Sequence, residues 1–473
     1  MFVPLVGPEL SRQVVGLVSS LQDYVYNYNL DLPHHLHPAF TPRRDLPGLR
    51  REGGEAEPEG DGMYEILLLQ QKIVLQVGDR LKLCWHRAQY TSHQPLLDLR
   101  RVLVHLDQSL AKLADLRLRR EVSCLVRGLR PGQPAHLVDH TLHTLVHLGN
   151  HPQSSSLTTH LTHLATMERL VELCRRSADD LSSSNSSQST LLLGLRAISS
   201  ICWAVECVRG LEAGGGVDLV TRLLESGPGL EVKVEAAGVL AQLTSPAISD
   251  NHSVAGLRDN LDSVILNLTR LAGLRCGEDA FLLTAAALAN LSLMEPAASL
   301  ESMLANSTSS LLCTRVTSDP STSVFARDQV VTVLASLTVS PRARASILRE
   351  GGLQFLTTHF QLSLEGLEPG SPAASALERV LKKSCIALCR LCLGREESLE
   401  LEARGGVSRA LLLATSPAAR HHSHSLLLAC LALLRRVQPH LNNNNHITNI
   451  TGLSNSSLVQ SFRELAYQQT SYV

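Results

Sequence analysis

The chain has 473 residues, 44% of them hydrophobic but only 3% aromatic, and a formal net charge of −1. That length exceeds one ordinary core and suits stacked units that bury their faces on one another. Balanced charge gives no electrostatic ground for binding nucleic acid or an anionic membrane, and no stretch reaches the roughly 18 apolar residues of a membrane-spanning helix.

In chain order, residues 1–62 read as a flexible N-terminal segment. Met1-Phe-Val-Pro-Leu-Val-Gly-Pro-Glu lacks a basic leader, and Glu9 and Arg12 break its apolar run, so no secretory signal is expected. Val14, Val15, Val18, Leu21, Tyr24 and Val25 give a weak helical pattern. Residues 31–62 are rich in proline, glycine and mixed charge, which cannot form a core. Residues 63–130 carry long helical patterns, such as Leu96 to Leu106, and read as a helical cap. Repeats follow over 131–440, interrupted by expected surface loops at Ser-rich 181–189 and at 365–372. Residues 441–473 form an Asn/Ser-rich tail with a short helix from Leu458 to Tyr467.

The repeats rest on one recurring phrase, aliphatic-Ala-polar-Leu. It occurs as Leu240-Ala241-Gln242-Leu243, Leu288-Ala289-Asn290-Leu291 and Leu334-Ala335-Ser336-Leu337. Looser copies are centred on His147, Ser200, Arg390 and Leu433, and the spacings between third positions run from 42 to 54 residues. A period of about 40–47 residues with loop insertions marks armadillo or HEAT repeats. A second marker keeps the same phase: Gly214-Gly215-Gly216, Gly351-Gly352 and Gly405-Gly406 each begin 14 or 15 residues after a key position. Glycine supplies the left-handed position between two helices, and Asn306 is expected to fill that slot where no glycine pair stands. The predicted fold is an all-α, armadillo-like helical-repeat solenoid with an N-terminal helical cap and flexible termini.

In such a solenoid the third helix of each repeat lines a groove. Stepping back four and seven residues from the key positions gives ladders of candidate peptide-binding residues. They are His147, Ser200, Glu235 with Gln242, Asn290, Gln329 with Ser336, and Lys383 with Arg390. The Asn290 amide is suited to bonding the backbone of an extended peptide. The set predicts a groove with an acidic middle and a basic C-terminal end.

His136, His140, His143 and His147 fall within about 60° of one another on a helix. No third ligand type stands at convincing spacing, so no metal site is expected; an exposed, pH-responsive face of the first repeat is the reading of the residues. Eleven cysteines, an odd number, sit mostly in apolar helical patterns, which fits reduced thiols of the cytoplasm. Cys389 and Cys392 form a Cys-x-x-Cys, but with Cys385 they lie in a repeat helix and read as core. There is no phosphate-cradling glycine loop, no Gly-x-Ser-x-Gly elbow and no recognisable carboxylate pair. Neither an enzyme nor a cofactor is expected. Thr470-Ser471-Tyr472-Val473 has the form of a PDZ ligand, in which a PDZ domain takes the carboxylate and valine and bonds the Ser471 hydroxyl.

Phe281-Leu-Leu-Thr-Ala-Ala-Ala-Leu-Ala-Asn-Leu-Ser292, Ala326-Arg-Asp-Gln-Val-Val-Thr-Val-Leu-Ala335, Ala241-Gln-Leu-Thr-Ser-Pro246 and Leu428-Ala-Cys-Leu-Ala-Leu-Leu-Arg-Arg436 closely resemble the Inscuteable family, as does the ending from Leu458 to Val473. The resemblance covers most of 63–473. It implies an adaptor of mitotic spindle orientation in asymmetric cell division, at the apical cell cortex. Such adaptors join a Bazooka-type PDZ scaffold and atypical protein kinase C to Pins/LGN TPR proteins. The family carries a short helix with a serine-aliphatic-glutamine-x-tryptophan core that binds the TPR groove. Here Ser20, Leu21, Gln22, Tyr24 and Val25 stand in the matching places, with tyrosine for tryptophan and without the acidic followers. The alternative is an armadillo receptor of catenin or importin type. Importin-type grooves repeat tryptophan beside asparagine, whereas Trp85 and Trp203 are out of register with Asn290.

Overall fold

The computed structural model describes residues 69–83 except 71, residues 94–149, and residues 155–441 with short gaps at 164, 181–184, 247, 249–253, 275 and 295. All regular structure among them is helical. The chain divides into two compact units, one of residues up to Arg127 with Ser155–His160, the other of Gly128–Ser154 with the residues from Leu161 onward.

In the first unit, helical residues 72–83 pack along α1 (Gln94–Arg127). Val74, Val77 and Leu81 recur at spacings of three and four, as do Leu106, Leu110 and Leu113, so each helix offers one apolar stripe to the other. Gln70 Nε2 donates to the Ser109 carbonyl (3.0 Å) at one end of this contact. Asp115 Oδ1 lies 3.0 Å from His160 Nε2.

After α2 (Ala135–Gly149) the helices come in threes. The first triplet is α3 (Ser155–His163), α4 (Thr166–Asp179) and α5 (Asn185–Ile201). Next are α6 (Val205–Ala213), α7 (Gly216–Ser226) and α8 (Leu230–Leu243), then α9 (Ala255–Asp259), α10 (Leu261–Gly273) and α11 (Glu278–Met294). Then come α12 (Pro296–Ala305), α13 (Thr308–Ser318) and α14 (Val324–Leu337), followed by α15 (Pro341–Arg349), α16 (Gly352–Phe360) and α17 (Pro372–Leu391). The last are α18 (Arg395–Ala403), α19 (Gly406–Thr415) and α20 (His424–Val437). Third helices stack on third helices, from α2 through α5, α8, α11, α14 and α17 to α20, and second helices stack in the same order from α4 to α19. Each third helix from α5 to α17 therefore meets a neighbour on two sides and its own second helix on another.

That threefold cover explains the phrase. Its two aliphatic positions, Leu240 and Leu243, Leu288 and Leu291, Leu334 and Leu337, are all buried, while Gln242, Asn290 and Ser336 are only partly so. Each buried leucine contributes about 1.5–3 kcal/mol. The short first helices add less: α15 buries only Ala343 and Ile347.

The glycine pairs do two different jobs. At the entrance to α16, Gly351 has φ +80°, the left-handed position, and Gly352 is the first helical residue. A Cβ on Gly352 would come 2.2 Å from Ile347 Cγ2 and 2.8 Å from the Ile347 carbonyl oxygen. Replacing Gly352 with alanine is expected to destabilise the repeats by about 1–3 kcal/mol through this overlap, read as a lower urea midpoint. In the unit before it the left-handed residue is Ser307 (φ 51°), not Asn306. The slot is the residue directly before the second helix, and Asn306 stands one place too early. Its amide instead donates to the Ser302 carbonyl at 2.8 Å.

The two interruptions also resolve differently. Helix α5 begins at Asn185, inside the Ser-rich stretch expected to be loop, because serine and asparagine are favoured at a helix N-terminus. The 365–372 loop is present, and its last residue, Pro372, opens α17 behind the N-cap Ser371, where proline's missing N–H costs nothing.

Candidate functional site: the third-helix face

Three of the key positions of the phrase, Asn290, Ser336 and Arg390, are bonded to the third helix before. Asn290 Nδ2 donates to the Ala241 carbonyl (2.8 Å), Ser336 Oγ to the Ser292 carbonyl (2.7 Å) and Arg390 Nη1 to the Ala335 carbonyl (2.7 Å). These carbonyls lie near the C-terminal ends of α8, α11 and α14, where the helix supplies no backbone N–H of its own, and the Ala335 carbonyl also accepts from the Thr338 hydroxyl (2.8 Å). The key residue thus clasps one repeat to the next. At the N-terminal ends a matching clasp exists: Glu278 accepts from the Ser323 N–H (2.9 Å), and Glu378 accepts from the Ser423 hydroxyl. Ser323 and Ser423 in turn cap α14 and α20.

The other candidates fall into two groups. Open ones are His147, which is exposed, and Gln242 and Gln329, which are half-buried and have no side-chain bond among the described residues. Ser200 is half-buried, with its carbonyl oxygen where a Cβ on Gly149 would have to go (2.2 Å). Engaged ones are Glu235 and Lys383. Glu235 pairs with Arg196 of α5. Lys383 is only 6% exposed and donates to Asp328 Oδ1 (3.1 Å) and Thr332 Oγ1 (2.6 Å) on α14. It is therefore not a basic residue of an open groove, because seven residues back from Arg390 lies the interface with α14. Burial pushes the Lys383 ammonium down, and the Asp328 carboxylate pulls it part of the way back.

Asp328 had no place in the sequence ladders, yet it is 1% exposed and also takes Arg379 Nε on Oδ2 (2.6 Å). A buried acid among apolar residues at 326–334 was the signal available, since an acid is almost never buried without a partner. Beside it Arg327 reaches His359 of α16, with Nη1 3.4 Å from Nε2, while His359 Nδ1 lies 2.8 Å from the Phe355 carbonyl.

His136, His140, His143 and His147 are exposed on α2, and no group of three or more potential metal ligands occurs among the described residues. Cys385, Cys389 and Cys392 lie in the core between α17 and its neighbours, and burial pushes the Cys392 thiol up to about 12. No helix of the described residues is long and apolar enough to cross a membrane. Ser20, Leu21, Gln22, Tyr24 and Val25, and Thr470 to Val473, lie outside the described residues.

Three-helix repeats with stacked third helices and a partly open third-helix side define an armadillo-type solenoid. The chain belongs to the Inscuteable C-terminal family: residues 66–473 match the family described as "Protein inscuteable C-terminal". It is 26% identical over 334 residues to "Protein inscuteable homolog" of Mus musculus and to that of Homo sapiens, in each case 70% of this chain and 55% of the relative. The chain thus spans about half the length of the curated relatives it matches. A solved structure from "A conserved phosphorylation switch controls the interaction between cadherin and beta-catenin in vitro and in vivo" is similar with a TM-score of 0.53 at 14% identity, over 79% of this chain and 66% of that one. A designed armadillo repeat protein is similar with a TM-score of 0.43 at 15% identity, over 55% of this chain and 98% of that one.

Proposed function

We propose that the chain is a non-catalytic adaptor that links a Bazooka-type PDZ scaffold and atypical protein kinase C to a Pins/LGN TPR protein for spindle orientation at the apical cortex of an asymmetrically dividing cell. The observation that carries this reading is the family match over 66–473, and the stacked third helices supply a fitting surface. In this reading the third-helix side holds the polarity scaffold and residues 20–25 hold the TPR groove. Joining two binding segments in one chain raises the local concentration of each partner without strengthening either contact.

Two pull-downs test the halves separately. Removing residues 1–62 is expected to abolish capture of a Pins/LGN TPR domain; retention by the shortened chain would remove residues 20–25 from the reading. Substituting Gln242 and Gln329 together with arginine is expected to weaken capture of the polarity scaffold by about tenfold or more, at an unchanged unfolding temperature. Unaltered capture would take the third-helix side out of the interaction. Asn290 and Arg390 are unsuitable for this test because their side chains hold the repeats together.

A further inference from the structure

Three arginines meet at the C-terminal end of α17. Arg390, next to the last residue of that helix, donates to the Ala335 carbonyl of α14. Arg344, on α15, reaches the Arg390 carbonyl (3.5 Å) and the Ser340 carbonyl (3.5 Å). Arg436, on α20, lies near enough to Cys389 for its charge to oppose the rise that burial gives that thiol. Carbonyls at a helix C-terminus attract cations, which accounts for part of this convergence. It does not balance three full charges.

Several arginines of the second unit are matched by carboxylates, Arg196 by Glu235, Arg315 by Asp319, Arg342 by Glu301 and Arg404 by Glu400, whereas Arg409 and Arg420 donate to carbonyls. Among the described residues, none of Arg344, Arg390 and Arg436 has a carboxylate within ion-pair distance. Burial lowers the Arg390 pKa, and the Arg344 charge adds to the lowering. Each guanidinium has five N–H donors in a planar fork, and the bonds named above occupy at most two of them. Among the described residues no carboxylate meets the remaining donors.

Apolar side chains flank the charges. Val339 is 64% exposed and Leu393 49%. Val339 stands three residues past the key residue Ser336, Leu393 three past Arg390, and Arg436 three past Leu433. Val339 lies just past the end of α14 and Leu393 just past the end of α17, whereas Arg436 lies in the last turn of α20, so the three stand at the same end of successive third helices, which pack roughly 10 Å apart. An extended chain covers that distance in about three residues.

We propose that the C-terminal ends of α14, α17 and α20 form a docking site for an acidic peptide segment of a partner protein, with carboxylates on Arg344, Arg390 and Arg436 and aliphatic side chains on Val339 and Leu393. The site goes beyond the adaptor reading, and it stands whichever protein supplies the segment. Carboxylates suit it because the planar fork takes two oxygens at once, and the flanking side chains ask for aliphatic groups between them.

The test is fluorescence anisotropy of the full chain with a labelled Glu-Glu-Leu repeat peptide. Binding is expected, weakening as salt is raised from about 50 to about 300 mM. The Lys-Lys-Leu counterpart is expected not to bind. R344A/R436A should weaken binding by about tenfold or more, and V339S/L393S by several-fold, while R349A, an exposed arginine of α15, leaves it unchanged. Should R344A/R436A lower the unfolding temperature, the exposed Arg436→Gln alone gives the same reading. Unweakened binding by the arginine variants, an equal loss in R349A, or equal binding of the lysine peptide would overturn the proposal. Binding only when phosphoserine replaces glutamate would overturn it too. So would binding that emerges only after residues 1–62 are removed, since the occupant would then be the chain's own acidic stretch at 52–61.

Discussion

Asp328→Ala is expected to destabilise the repeats by about 3–5 kcal/mol, the usual cost of leaving a buried charge without its partner. Asp328 is almost fully buried and, among the described residues, is the only carboxylate bonded to Lys383 and Arg379. Arg379 is partly exposed and can turn to water, whereas Lys383 cannot leave the α14–α17 interface without breaking it. Pairing an ammonium already pushed down by burial, Asp328 supplies the Coulomb attraction that lets Lys383 stay charged there. The double variant D328A/K383M, which removes both charges and keeps the volume of the lysine stem, should recover most of the loss. Urea unfolding of the three proteins checks this. A midpoint for D328A within error of the parent would show that the α14–α17 interface does not depend on the pair.

Stability is also expected to fall as pH drops from about 6.5 toward 4, and His359 is the reason. Burial first, and the Arg327 guanidinium at its Nε2, lower its pKa to about 4, while the Phe355 carbonyl at Nδ1 opposes the shift. Nδ1 then carries the proton toward Phe355, and Nε2 accepts from Arg327. At pH 7 the ring is neutral in the folded chain and largely neutral in the unfolded one, so its pH slope is small there. Below the unfolded value the unfolded chain takes up a proton that the folded chain refuses, which favours unfolding. Over the window between the unfolded and folded values the loss reaches about 3 kcal/mol. Below pH 4 both forms are protonated and the slope ends. The measurement is the urea midpoint at pH 7, 5.5 and 4.5 for the parent and His359→Gln. The difference between them isolates His359 from carboxylates that titrate at the acid end, and parallel curves would refute the assignment.

Helical class, repeat and phase were all legible in the order of residues. Leu240 and Leu243, or Leu288 and Leu291, stand three apart because one face of every third helix is buried, and that periodicity is written in the residues whatever they pack against. Glycine pairs were legible for the same reason: a positive φ at Gly351 and a missing Cβ at Gly352 are needs of the local backbone and of Ile347, five residues away. Where no glycine marked it, the slot fell on Ser307 although asparagine is the residue favoured in that conformation, because it is the residue directly before the helix that begins at Thr308. The outward side chains were another matter. Asn290, Ser336, Arg390 and Lys383 all read as one exposed ladder when each helix is taken alone. Packing between repeats makes three of them clasp the preceding helix and buries Lys383 against Asp328, 55 residues earlier. Whether a polar side chain meets solvent or a neighbour depends on how far each helix is advanced over the last. That offset is fixed by the packing of three helices at once, and no single period in the chain encodes it.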